Sequence, residues 1–374
     1  MPRTGFFLSS PKQSYPQLEL SFEFCPQCAL IRRQLLREDP PDYTEVNRKT
    51  DRQLPDYAHQ IARSFEKANV GVEELVVEIG ANDGEFLSFL AKAGYNNRLA
   101  VEPSMTLANV CSNRGHQVWN AHLDVAEALK IKEACGFARV VICRHTLEHV
   151  PDPQGLLLAM RSLLSEDGLL FLEVPDARVI IRDLQGHELW DEHLYYFTSE
   201  NLSSLLQRSR FHVEEMLVLR HRSSANILCW SRPSQQESSP NYSKYKPTVE
   251  LCHNFRDRWF SLAQHLQAER KNWSKPIVAI GASHLQSNFL QFADLIDEID
   301  LFVDDDPIKV GQYVPLQQPI PIVSTEQLLN RPLPGTIIRT AFGYESWMDK
   351  ICQPLAQKGV QIVEPYDSLV AVNG

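Results

Sequence analysis

Leu75-Val-Val-Glu-Ile-Gly-Ala-Asn-Asp-Gly-Glu85 is the stretch on which the fold turns. The apolar run Leu75 to Ile79 is too short for a helix and reads as a buried strand. Gly80 and Gly84 bracket a tight turn, and the residues after it place Phe86, Leu87, Phe89 and Leu90 on the apolar face of a helix. A strand passing through a glycine turn into a helix is the ligand-binding switch point of a doubly wound sheet. Without a Cβ, the glycines let the backbone turn sharply and let a ligand approach it. At the end of the next strand stands Glu102, where a carboxylate accepts hydrogen bonds from both hydroxyls of a ribose. A dinucleotide site would carry G-x-G-x-x-G with a pyrophosphate at the helix N-terminus. Here Asn82 and Asp83 occupy the turn and would repel phosphate, so a cofactor without phosphate is expected.

Outward from this stretch, strands are predicted at Leu75 to Ile79, Leu99 to Glu102, Val140 to Cys143 and Leu169 to Val174, alternating with amphipathic helices. Such alternation makes an α/β fold with a mainly parallel sheet. Ser231 to Lys246 is polar and contains proline, as a linker does. A helix is expected from about Thr248 to Trp273, and then a second strand-turn-helix series opens at Pro276-Ile-Val-Ala-Ile-Gly-Ala-Ser283. The chain therefore divides into a small irregular N-terminal module at 1–60, ending in a connecting helix from Leu54 to Ala68, a cofactor-binding α/β domain at 61–235, and a second α/β domain at 236–374.

Composition limits the partners. The chain has 374 residues, 43% hydrophobic and 22% charged, with a formal net charge of −10. That balance gives a globular protein with no global positive field to gather nucleic acid or an anionic membrane. No apolar run approaches the roughly 20 residues of a membrane span, and the N-terminus has no secretory h-region, so a cytoplasmic location is expected. Of the eight cysteines only Cys25 and Cys28 have metal-ligand spacing. A tetrahedral zinc site needs four ligands, so this pair alone is an incomplete site and no resident metal is expected.

Three polar clusters follow predicted strands: Cys143-Arg-His-Thr-Leu-Glu-His-Val-Pro-Asp-Pro153, Glu173-Val-Pro-Asp176, and Leu189-Trp-Asp-Glu-His-Leu-Tyr-Tyr-Phe-Thr198. In an open α/β sheet all of them lie in the crevice beyond the carboxyl ends of the strands. His145, His149, Glu192 and His193 give that crevice groups that exchange protons near neutral pH. Read structurally instead, Glu148-His149 continues a helix N-terminus and Glu192-His193 forms a buried hydrogen-bonded pair.

The turn from Glu78 to Gly84 with Glu102 resembles the first motif of class I S-adenosylmethionine methyltransferases, which have a Rossmann-like fold. That resemblance implies a cofactor set of Glu78, Gly80, Ala81, Asn82, Asp83, Gly84, Glu102, Pro103, Asn120, Arg144 and His145. The Arg-His-x-Leu-Glu-His-Val segment and Glu192-His193-x-x-Tyr196-Phe197 are similar to segments of the sugar C-methyltransferase family. Gly281-Ala-Ser283, Val303-Asp-Asp-Asp-Pro-Ile-Lys-Val-Gly311 and Pro319-Ile-Pro-Ile-Val-Ser324 resemble that family's C-terminal domain, a second Rossmann-like unit without a cofactor that helps enclose the substrate. Family members begin with a four-cysteine zinc module. Phe24-Cys-Pro-Gln-Cys-Ala-Leu-Ile31 resembles only its second half.

The resemblance implies a small-molecule substrate, a nucleotide-linked keto sugar or a related intermediate, handled by a monomer or homodimer. Methylating carbon requires a base to remove a proton beside a carbonyl and a donor for the developing oxyanion. His193 or His149 would be the base, Glu192 would orient the imidazole, and Tyr196 or His145 would polarise the carbonyl. Trp190-Asp191 stands where the sugar enzymes have Tyr-His, so Trp190 is a candidate substrate contact. The second domain's glycine turn lacks the family's lysine, which leaves Lys309 as the candidate phosphate contact. The alternatives are methyl transfer to oxygen or nitrogen, and a noncatalytic scaffold that binds S-adenosylmethionine.

Overall fold

The computed structural model describes residues 7–13, 19–34, 58–221, 224–235 and 246–365. The chain begins with a hairpin of β1 (Phe22–Phe24) and β2 (Ile31–Arg33), whose turn carries Cys25 and Cys28. Helix α1 (Ala58–Lys67) buries Ala58, Ile61, Ala62 and Phe65 in the same core as Phe86, Leu87 and Leu90, so this connecting helix packs as part of the larger unit. Of the connecting helix expected from Leu54, residues 54–57 lie outside the described residues.

That unit is built from β3 (Val76–Ile79), α2 (Glu85–Lys92), β4 (Arg98–Val101), α3 (Met105–Asn113), β5 (Gln117–Trp119), α4 (Val125–Cys135), β6 (Ala138–Arg144), α5 (Pro153–Leu163), β7 (Leu164–Pro175), α6 (Ala177–Arg182), β8 (Tyr195–Tyr196), α7 (Ser199–Arg208), β9 (Phe211–His221) and β10 (Ser224–Pro233). Its sheet runs β5-β4-β3-β6-β7-β10-β9. The first five strands pair in parallel, and β10 and β9 close the edge antiparallel. All four residues of β3 are buried, because helices cover the sheet on both faces. The strand order reverses at β3, so the loops after β3, β4 and β6 open into one crevice.

The edge hairpin corrects the expected linker. Ser231 to Pro233 are strand residues paired with Phe211 to Val213, while 236–245 lie outside the described residues. Helix α8 (Lys246–Glu269) replaces the expected Thr248 to Trp273, its last turn tightening to 3₁₀ at Arg270–Asn272.

The second sheet uses β11 (Ile277–Ile280), α9 (His284–Phe292), β12 (Leu301–Val303), β13 (Tyr313–Val314), β14 (Ile320–Val323), α10 (Thr325–Leu329), β15 (Thr336–Arg339), α11 (Glu345–Ala356) and β16 (Gln361–Val363), in the order β13-β14-β12-β11-β15-β16. Its first turn repeats the first domain's construction. Gly281 N donates to Val303 O at 2.7 Å and Ala282 N to Asp304 Oδ2 at 3.0 Å, as Gly80 N donates to Val101 O at 2.8 Å and Asn82 N to Glu102 Oε2 at 2.8 Å.

The N-terminal residues contact both units, with β1, β2 and β8 forming a small sheet of their own. Leu8 exchanges backbone hydrogen bonds with Tyr313 at the edge of the second sheet, and β2 pairs with β8 of the first unit. Between the units, Trp190 stacks on His284 with ring centroids 4.4 Å apart, and Asn288 donates to the Leu189 carbonyl. His187, 1% exposed, lies against Phe342, and burial pushes its imidazole down to about 3, so it packs as a neutral ring. Among the described residues no helix is long and apolar enough to cross a membrane.

Candidate functional site

The turn after β3 owes its shape to three residues in the left-handed region: Gly80 (φ +68°), Asn82 (φ +55°) and Gly84 (φ +79°). A Cβ on Gly80 would strike the Thr146 hydroxyl, and one on Gly84 would come within 2.6 Å of Cys111 Sγ. Gly84 therefore serves helix packing, whereas Gly80 with Thr146 borders a cavity of about 1050 Å³. This cavity occupies the crevice predicted from the strand order. Its wall includes Asn82, Glu102, Pro103 and Ser104 on one side, Leu107 and Ala121 to Ala126 beyond them, and His145, Thr146, His149 to Asp152 and Glu192 opposite.

Glu102 is 5% exposed, and its two oxygens each accept a backbone N–H, from Asn82 and from Ser104, both at 2.8 Å. Burial raises this carboxyl, and the two N–H groups hold it down. A carboxylate has about four lone-pair positions, so two remain for a diol. Asn120 does not line the cavity. Its amide donates to the carbonyls of Glu102 and Pro103 at 2.8 and 3.0 Å and so fixes the backbone that carries the acid.

Asp83 also turns away, forming an ion pair with Arg114 at 2.6 Å, and Arg144 pairs with Glu173 at 2.7 Å while its guanidinium covers the Phe86 ring. Both were expected at the cofactor. The structure uses them instead to neutralise buried or half-buried charge behind the cavity wall. Neither Ala81 nor Glu78 lines the cavity. Glu78 is 3% exposed, and burial, opposed by Arg144 and reinforced by Asp83, Glu102 and Glu173, pushes its carboxyl up to about 8. One of its oxygens has no hydrogen-bond partner among the described residues.

On the opposite wall His145 takes a left-handed backbone (φ +47°), held by its N–H to the Glu173 carbonyl at 2.8 Å. Its ring lies between two carboxylates, Nε2 at 3.2 Å from Glu173 and Nδ1 at 3.5 Å from Glu148. Burial acts to lower this imidazole, but the negative charges of Glu173 and Glu148 outweigh it and raise it to about 9, so the ring is a cation at neutral pH. Asn226, from β10, also donates to Glu173 at 2.9 Å. Glu173 and Asn226 were missed as site residues because their contact with His145 depends on the pairing of β6, β7 and β10.

His149 lines the cavity, and its Nδ1 lies 2.9 Å from the Glu192 carbonyl oxygen. A carbonyl only accepts, so Nδ1 carries the proton and Nε2 holds the lone pair in the neutral ring. The Glu192 backbone thus does the orienting expected of its carboxylate, which lines the cavity instead. His193 is 6% exposed and stands behind the wall, packed against His149, Trp190 and Tyr196.

Tyr196 is 2% exposed. Its hydroxyl accepts the Trp190 N–H at 2.9 Å and donates to the Trp190 carbonyl, so it braces the loop and is not placed to polarise a carbonyl in the cavity. Tyr196→Phe is therefore expected to cost about 1 kcal/mol of stability while leaving turnover within a few-fold of the parent, as read from thermal melts and an activity assay. Trp190 faces His284 at the junction of the units rather than the cavity. Lys309 is bound to Asp304 at 2.8 Å. Cys25 and Cys28 are free thiols, and they are not among the described residues that cluster with metal-ligating side chains.

Residues 46–216 match the family model described as a methyltransferase domain, and residues 231–363 match that of the C-methyltransferase C-terminal domain. The C-methyltransferase NovU of Streptomyces niveus is 33% identical over 134 residues, 36% of this chain and 32% of NovU. A ubiquinone biosynthesis O-methyltransferase of Actinobacillus pleuropneumoniae serotype 7 (strain AP76) is 28% identical over 111 residues, 28% of this chain and 47% of that protein. The matching stretches thus span about a third to a half of these curated relatives. Among solved structures, magnesium protoporphyrin IX methyltransferase (ChlM) from Synechocystis PCC 6803 with bound SAM is 14% identical, with a TM-score of 0.36 over 48% of this chain and 80% of that one.

Proposed function

We propose that this chain, which belongs to the S-adenosylmethionine-dependent methyltransferases carrying a C-methyltransferase C-terminal domain, methylates a carbon beside the carbonyl of a small keto substrate, a nucleotide-linked keto sugar or a related biosynthetic intermediate. The residues fit the cofactor. Glu102 has lone pairs left for the ribose hydroxyls, on the wall of the cavity that Gly80 borders. When bound, S-adenosylmethionine supplies an electrophilic methyl group.

The observation that carries a carbon acceptor is the pair of imidazoles on the cavity wall, one oriented as a base and the other held as a cation. His149 Nε2 is directed by the Glu192 carbonyl to take a proton from the carbon next to the substrate carbonyl. His145, kept protonated by Glu173 and Glu148, sets a positive charge on the cavity wall that stabilises the oxygen on which the enolate charge develops. The fixed turns bring nucleophile and methyl group into line, since positioning supplies much of the rate of a displacement.

Methyl transfer to oxygen is the second reading, favoured by the ubiquinone O-methyltransferase match within the first domain. It needs no carbon deprotonation. Calorimetric titration with S-adenosylhomocysteine, alone and with deoxythymidine diphosphate, separates the substrate classes. Micromolar binding of both is expected, whereas binding of S-adenosylhomocysteine alone would remove nucleotide sugars. Uptake of solvent deuterium at the substrate carbon is expected for carbon methylation and would be absent for an oxygen acceptor.

A further inference from the structure

We propose that Glu148, His149 and His193 form a binding site for a divalent transition-metal ion, zinc in particular, and that filling it stops methyl transfer. One ligand atom from each residue lies within 4.8 Å of the other two. Two imidazoles and a carboxylate are a donor set suited to zinc and its first-row neighbours.

The ligands come from two segments, the 3₁₀ turn Leu147–His149 and the loop before β8. Leu194 N donates to the Glu148 carbonyl at 2.8 Å, and His149 Nδ1 donates to the Glu192 carbonyl at 2.9 Å. These two clasps hold the segments together before any ion arrives. A histidine whose ring nitrogen is fixed by a backbone carbonyl is oriented as metal-binding histidines are.

Glu148 provides the independent observation. It is 1% exposed, and neither carboxylate oxygen makes a hydrogen bond among the described residues. The charge next to it, His145 Nδ1, is 3.5 Å away and shared with Glu173. With that one cation divided between two acids and no hydrogen bond to either oxygen among the described residues, buried Glu148 keeps lone pairs for a second cation. Glu148 and His193 are buried while His149 reaches the cavity wall, so an ion could enter from the cofactor side.

The inhibitory part rests on the reading of His149 as the base. A lone pair on Nε2 cannot hold a metal ion and accept a proton at once. The binding part does not depend on that reading.

The test is a titration of chelator-treated full-length protein with zinc chloride in competition with a chromophoric chelator at neutral pH, followed by elemental analysis. One zinc ion per chain is expected, with binding at least about 10-fold weaker in Glu148→Gln and in His149→Ala, the range seen when groups at metal sites are removed. Retained S-adenosylhomocysteine binding shows that these variants are folded. A Cys25→Ser, Cys28→Ser double variant is expected to bind zinc as the parent does. No zinc uptake, or uptake unchanged in Glu148→Gln but lost in the double serine variant, would overturn the site. Methyl transfer that is unchanged or faster in the zinc-loaded parent would overturn the inhibition. A wrong choice of acceptor would show itself separately, as metal-free protein that binds S-adenosylhomocysteine yet takes no keto substrate.

Discussion

Glu102→Ala is expected to weaken S-adenosylhomocysteine binding about 10²- to 10⁴-fold in calorimetry. The estimate comes from two hydrogen bonds between a carboxylate and the ribose hydroxyls, each about 1.5–3 kcal/mol when one partner is charged, with tenfold in affinity per about 1.4 kcal/mol. The substitution also frees the N–H groups of Asn82 and Ser104, so part of the loss reflects a loosened turn. A thermal melt without ligand measures that part. The remainder is isolated with 2′-deoxy S-adenosylhomocysteine, which should bind the parent more weakly than the natural compound but should bind the variant almost as well. A folded variant with parental affinity would show that Glu102 serves the turn alone.

Why was Glu102 legible in the sequence when Asp83, Asn120 and Tyr196 were not? A strand, a glycine turn and an acid at the end of the next strand are each set by local patterning, and β3 and β4 pair in parallel register, which places Glu102 beside Asn82. The roles of the others depend on partners that the local pattern does not specify. Arg114, at the C-terminal end of α3, draws Asp83 off the cavity. Asn120 was expected to face the ligand, but two carbonyls of the preceding loop take up its amide. The Glu192-His193 pair was found as a motif, yet its chemistry is divided differently, since the backbone of the first residue orients His149 and the ring of the second packs behind it. The antiparallel hairpin was overlooked for a related reason. At the sheet edge β9 leaves Leu217 and Val218 exposed at 38% and 44%, so it lacks the continuous buried run that marked β3. Polar Ser231 and Arg232 at its close resemble a linker until their pairing with β9 is known.

The same division of labour sets the second large effect. His149→Asn is expected to lower turnover on a keto substrate about 10²- to 10⁴-fold, the usual contribution of a positioned general base. The amide of asparagine can still donate to the Glu192 carbonyl, so the loop should keep its place, but it offers no basic lone pair to the cavity. S-adenosylhomocysteine affinity should therefore stay within a few-fold of the parent, and solvent deuterium should no longer enter the substrate carbon. His193→Asn provides the contrast. Its ring contacts His149 at a centroid distance of 4.7 Å and Trp190 at 4.4 Å but does not line the cavity, so its loss should act through packing, with a smaller fall in turnover and measurable deuterium uptake. Measured side by side on nucleotide-linked keto sugars, the two variants decide which imidazole takes the proton. If His149→Asn exchanges deuterium normally and His193→Asn does not, the base is the buried ring, and the loop from Trp190 to Leu194 must open to bring it to the substrate.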